Sequence, residues 1–247
     1  MSARNIDEVI HDLDKIIEEC LGANDPMGYF PALYSKVTIA VKDGIREGRF
    51  ENGERMEQLD VIFANRYINA YNGYRKEQNI SKSWKIAFDG TQHWWPIVLQ
   101  HLLAGMNAHI NLDLGIAAAQ VCPEDSIKRL KKDFDEINVI LANLVNDVQD
   151  ELAQIWPVLK IVDRVAGKID ESIVNFSMDK ARQAAWSFAQ ELAYLNEQER
   201  EFKIIEKDNW TSLFGFNILY LGTFSLLPKV IRLGERGNIA ERIRILI

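Results

Sequence analysis

The feature that most limits the fold is an uncharged stretch from Gly90 to Leu112, bounded by Asp89 and Asp113, in a chain where 26% of residues are charged. Pro96 opens a helix there that runs to about Ala119 and is apolar on every side. Such a helix has to sit at the centre of a packed structure. The stretch also meets the ~20 residues a bilayer crossing needs. It carries Gln92, His93, Gln100, His101, Asn107, His109 and Asn111, however, and polar groups at that density are costly in hydrocarbon. Asn209 to Pro228 is uncharged too, interrupted by Thr211, Ser212, Asn217, Thr223 and Ser225. Both read as buried helices of a soluble protein.

The rest of the chain supplies partners for that central rod. Ile6, Val9, Ile10, Leu13, Ile16, Ile17, Cys20 and Leu21 recur at three- and four-residue spacing and share one helix face, with Gly22 as its stop. Pro31 begins a helix that ends near Gly48, and a third runs from about Glu54 to Gln78 with Met56, Leu59, Phe63, Ala70 and Tyr74 inward. Ser81 or Ser83 caps a short helix through Phe88. After Pro123, an amphipathic helix carries Phe134, Ile137, Leu141, Leu144, Val148 and Leu152 until Pro157 breaks it. Further helices cover Asp179–Leu195, Glu199 to about Leu227, and Asn238–Leu246. Period-two alternation is missing throughout. No repeat or linker divides the chain, so the expectation is an all-α bundle of about ten helices, one domain over residues 1–247, built around the helix at about 96–119.

Charge narrows the partners. Twenty-nine basic against 36 acidic residues leave −7, and no basic stripe exists for nucleic acid. Lys229, Arg232, Arg236, Arg242 and Arg244 make a local basic tail. With the apolar 210–227 segment it forms the alternative working surface: a non-enzymatic, membrane-peripheral or partner-binding module. Two cysteines, Cys20 and Cys122, make no disulfide framework, and Ser2–Leu21 lacks the apolar core of a secretory signal. A reduced, cytoplasmic protein is expected.

Three of the four histidines fall between His93 and His109. Burying His101, Asn107, His109 and Asp113 without partners would cost a few kcal/mol, so they bond to one another, to a neighbouring helix or to a ligand. His109 and Asp113 stand one turn apart, close enough for the carboxylate to orient the imidazole as a base or for both to hold a divalent metal such as zinc. His101 and His109 are about 12 Å apart along the axis and cannot share an ion on a straight helix. Gly105 marks a bend or a close crossing. In the third helix Asp60 and Arg66 interrupt an apolar-aromatic run. An arginine in such company pairs with a carboxylate, and Asp113 is the first choice. Arg182 with Trp186 is a second polar candidate. His11 reads as solvated, and His93 beside Trp94 and Trp95 as a helix-end residue. Nucleotide-binding glycine loops, HExxH, CxxC and the GxSxG elbow are all missing.

The expected function is a buried polar pocket for a small molecule, with hydrolysis as the candidate chemistry. His109, Asp113 and His101 would be catalytic and Arg66, Asn107 and Asp60 would bind substrate. In the metal-assisted variant His109 and Asp113 are the ligands.

The string His101-x-x-x-Gly105-x-Asn107-Ala108-His109-Ile110-x-x-Asp113-Leu114 resembles the signature of a bacterial family of uncharacterised domains. So do Leu59-Asp60-x-x-Phe63-Ala64-x-Arg66-Tyr67, Asp163-Arg164 and Ala181-Arg182-x-x-Ala185-Trp186. This likeness spans roughly residues 55 to 195 and implies a fold and site positions but no reaction. Gly105, His109 and Asp113 are also similar to the Gly-x-x-x-His-x-x-x-Asp of all-helical zinc-dependent phospholipase C and nuclease families. Those follow the Asp with another His, whereas here Leu114-Gly-Ile-Ala-Ala-Ala follows.

Overall fold

A computed structural model describes residues 2–157, 177–220 and 232–247. These form α-helices and short helical turns, with no strand among the described residues. The chain is an all-α bundle, as the periodicity requires. Its helices are α1 (Ile6–Ala23), α2 (Tyr29–Arg46), α3 (Gly53–Arg75), α4 (Lys82–Asp89), α5 (Val98–Ala108), α6 (Gly115–Val121), α7 (Ile127–Ile155), α8 (Met178–Ala193), α9 (Glu197–Tyr220) and α10 (Ile239–Leu246).

Local chemistry sets most boundaries. Asn5, Asn52, Ser81, Ser177 and Asn238 each cap the helix that follows by accepting a backbone N–H. Asn238 and Glu241 complete a reciprocal capping box on α10. Gly22 does not stop α1. The helix runs one residue past it, and Asn24, in the left-handed conformation at φ 51°, makes the turn instead. α7 ends at Ile155, with Trp156 as its C-cap, just ahead of Pro157.

The central rod is confirmed and is not a uniform α-helix. Residues His109–Leu114, between α5 and α6, form a π-helical segment. One extra residue in the turn rotates everything beyond it by about 100° relative to an uninterrupted α-helix. From Val98 to Ala119 every residue is buried except Leu99 and Met106, which are half-buried. α6 and the π segment pack on α8, while α5 packs on α2, α4 and α9. Gly105 is a close crossing: a Cβ there would lie 2.5 Å from the Phe30 ring on α2. Most of the apolar interior falls in two large clusters, one gathered on α1 to α5, the other mainly on α6, α7 and α8.

The C-terminal segment closes on the start of this rod. A Glu235 carboxylate oxygen accepts the Val98 N–H at 2.7 Å, and Arg232 and Arg242 both pair with the same side chain. Two arginines of the expected basic docking tail are therefore spent inside the fold. Lys229 and residues 221–227 lie outside the described residues. No helix among the described residues is long and apolar enough to cross a membrane.

Candidate functional site

Asp113 is the hub. The π segment carries it against α3 and α4, where it is 1% exposed. Arg66 donates from Nε to Oδ1 at 2.7 Å, and Trp84 donates from its indole Nε1 to Oδ2 at 2.7 Å. Burial pushes the carboxyl up, but the Arg66 charge, with His109 and Trp84 beside it, outweighs that and holds Asp113 below the ordinary carboxylate range. The Arg66–Asp113 pairing read from the sequence is present. Trp84 was not legible, because nothing in the spacing of α4 tells which buried indole will meet a carboxylate on another helix. Its position is set by the α4 N-terminus, where Asp208 of α9 accepts the backbone N–H groups of Lys82 and Ser83 at 2.7 and 2.9 Å.

His109 lies one turn before Asp113 with Nδ1 3.6 Å from Oδ2, beyond hydrogen-bond length. Its ring stacks on Phe63 at 3.5 Å between centroids, and Tyr34 stands edge-on at 4.5 Å. Both ring nitrogens are buried without a hydrogen-bond partner. Burial lowers its pKa, against the pull of Asp113, so the imidazole is neutral at pH 7. With an ionised carboxylate on the Nδ1 side, the ring proton belongs on Nδ1, and the Nε2 lone pair is left free.

An elongated cavity of about 500 Å³ adjoins this ring, lined by His109, Phe63, Tyr34 and Asp60 together with one face of α7 and Arg182 of α8. Tyr34 Oη and Asp60 Oδ2 are, like the His109 nitrogens, buried and unpartnered. Burial, with the Glu57 charge behind it, pushes the Asp60 carboxyl up to about 7. Burial also raises the Tyr34 phenol, helped by the negative charge of Asp60. Tyr34 escaped the sequence reading because a tyrosine on an apolar face looks like core. The usable signal was that a buried phenol normally finds a partner.

The remaining expected site residues lie elsewhere. His101 does not line the cavity. It sits 5.7 Å from the Tyr29 ring, and burial, with Arg232 nearby, lowers its pKa to about 3. It stands eight positions along the helix from His109, too far for a shared centre. Asn107 is occupied structurally: it donates to the Thr211 carbonyl at 2.9 Å and accepts from Asn111 at 3.0 Å, tying α5 to α9. Arg182 donates to the Asn138 side chain and the Phe134 carbonyl and lies over the Phe134 ring at 4.4 Å. Asp163 and Arg164 lie outside the described residues. His11 is exposed, and His93 stacks on Trp95. No group of three His, Cys, Asp or Glu side chains placed to hold a metal exists among the described residues.

No curated protein and no solved structure matches the chain. Residues 6–220 match the model of a family of unknown function, DUF5995, and over that span of the bundle, Asp113 hub and cavity included, the chain belongs to that family.

Proposed function

We propose that the protein binds a small molecule in the cavity beside His109 and that the free Nε2 of this histidine is the ligand's hydrogen-bonding partner. The observation that carries this is the convergence of three buried, unpartnered polar side chains, His109, Tyr34 and Asp60, on one apolar space. Each such group costs roughly 1–3 kcal/mol left bare, and native interiors seldom tolerate three together. A ligand hydroxyl would give them partners, donating to His109 Nε2 and accepting from the Tyr34 hydroxyl.

The same arrangement supports hydrolysis as the chemistry. A neutral imidazole backed by an ionised carboxylate can take a proton from water or a hydroxyl, and Asp60, titrating near neutrality, can return one. Asp113 then acts by holding the His109 tautomer, and Arg66 acts by holding Asp113. A zinc ion on His109 and Asp113 would have to compete with Arg66 and Trp84 for the carboxylate oxygens. Metal content of the purified protein, read beside activity, decides between the two versions.

His109→Phe is the direct test, since it keeps the stack on Phe63 and removes the nitrogen. In a thermal-shift screen against a broad small-molecule library, compounds that stabilise the native protein are expected to lose their effect on this variant. Undiminished shifts in a folded His109→Phe protein would refute the reading.

A further inference from the structure

The shape and charge of the cavity say more than its existence does. Its α7 wall is formed by Phe134, Ile137, Leu141, Leu144, Val148 and Leu152, one continuous face of the helix. At 1.5 Å per residue, Phe134 and Leu152 are about 27 Å apart. A cavity of about 500 Å³ lies against that face, and its lining is almost wholly apolar along it. An extended hydrocarbon chain fits a long apolar wall of this kind, where it makes carbon–carbon contacts at about 4 Å along its whole length.

The two ends differ. Leu152 shares an apolar cluster with Leu102 and Leu103, against which Leu99 and Val148 pack, and all five line the cavity. At the Phe134 end stands Arg182, 5% exposed. Its bonds to Asn138 and the Phe134 carbonyl use two of its five N–H groups. Among the described residues no carboxylate pairs with it. Asp135 and Asp179 are near enough to bear on its charge, but both are exposed and neither reaches it. A buried guanidinium without a counter-ion is normally neutralised by something.

We infer that the occupant is a single-chain anionic amphiphile, a long-chain carboxylate in its simplest form, with its head on Arg182 and its alkyl chain lying along the inner face of α7. This inference rests on the cavity-binding reading above and assigns it a ligand class. The chain would pass His109, Tyr34 and Asp60, where a hydroxyl on it would donate to Nε2; a plain alkyl chain leaves those three groups unpartnered and takes its affinity from Arg182 and the apolar wall.

The test is competition against a fluorescent polyene fatty acid bound to the full-length protein. Dodecanoate, 1-dodecanol and dodecylamine compare heads, and carboxylates from six to sixteen carbons compare lengths. Dodecanoate is expected to bind roughly 10- to 100-fold more tightly than the alcohol, the range of a charge-assisted bond, with the amine weaker still. Arg182→Gln should remove that preference and Arg182→Lys retain part of it. Should Arg182→Gln misfold, Leu141→Trp, placed midway along the passage, decides by length: hexadecanoate binding lost, hexanoate spared. Equal binding of the three heads, an unchanged preference in folded Arg182→Gln, or unchanged length dependence in Leu141→Trp would overturn the inference, as would the absence of saturable chain binding. None of these touches the His109→Phe screen. Its library hits would still stand for a cavity ligand of another class.

Discussion

At the scale of single residues, the two buried acids of the site behave oppositely because their neighbours differ. Asp113 faces Arg66 and stays ionised, while burial, with the Glu57 charge adding to it, pushes Asp60 up to about 7. A carboxyl raised in the folded state stabilises the fold fully below its unfolded value of 3.8, and that contribution is lost as the pH rises through about 7. Asp60→Asn is therefore expected to stabilise the protein at pH 8, by up to about 4 kcal/mol, with the gain gone near pH 4. Denaturant unfolding at the two pH values checks it, and a gain independent of pH would contradict the Asp60 environment described here. Of these residues, Arg66 and Asp113 were readable in the sequence, since a charge inside an apolar run demands an opposite charge and few were on offer. Tyr34 and Trp84 were not, because their polar atoms ride on side chains that serve equally well as core.

At the scale of elements, the close contacts fall on glycines. Gly115 opens α6, where it crosses α8, and a Cβ there would lie 2.7 Å from the Phe188 ring and 3.0 Å from the Ala185 carbonyl oxygen. A ring can turn aside, but a helix carbonyl cannot, so Gly115→Ala should push α6 from α8 despite the better helix propensity of alanine. A net loss of about 1–2 kcal/mol is expected in urea unfolding. A neutral or stabilising result would mean that the crossing is looser than described. The sequence allows a bend or a close crossing at Gly105, and the structure has the crossing. The π turn after it is not legible there, because periodicity over six residues cannot separate an α-turn from a π-turn. That turn matters to the site, since it sets the register in which His109 and Asp113 face α3 and α4 while Asn107 and Asn111 face α9.

Across the whole molecule, the titratable interior predicts how stability responds to acid. His101 and His109 are both buried neutral, with pKa values below the unfolded 6.5, so their contribution is present above 6.5 and lost as the pH falls. Asp60 works the other way over the same range. Near pH 5.5 Asp60 offsets one histidine, and the other leaves the unfolded chain the stronger proton binder, so stability should fall as the pH drops. Asp60→Asn should steepen that fall. Equilibrium unfolding between pH 5 and 6.5 measures both slopes, and a flat native profile would show that the histidines are not buried as described.

What the sequence determined by itself was local: helices from their periodicity, a central rod from its lack of charge, and the pairing of Arg66 with Asp113 from the scarcity of alternatives. What only the tertiary structure decided was which surfaces stay apart. The apolar face of α7 has the pattern of any core helix, yet much of it borders a cavity. Burial patterns record that a side chain avoids water, not whether protein atoms or a space for a ligand lie opposite it. That distinction depends on the distances between helices far apart in the chain.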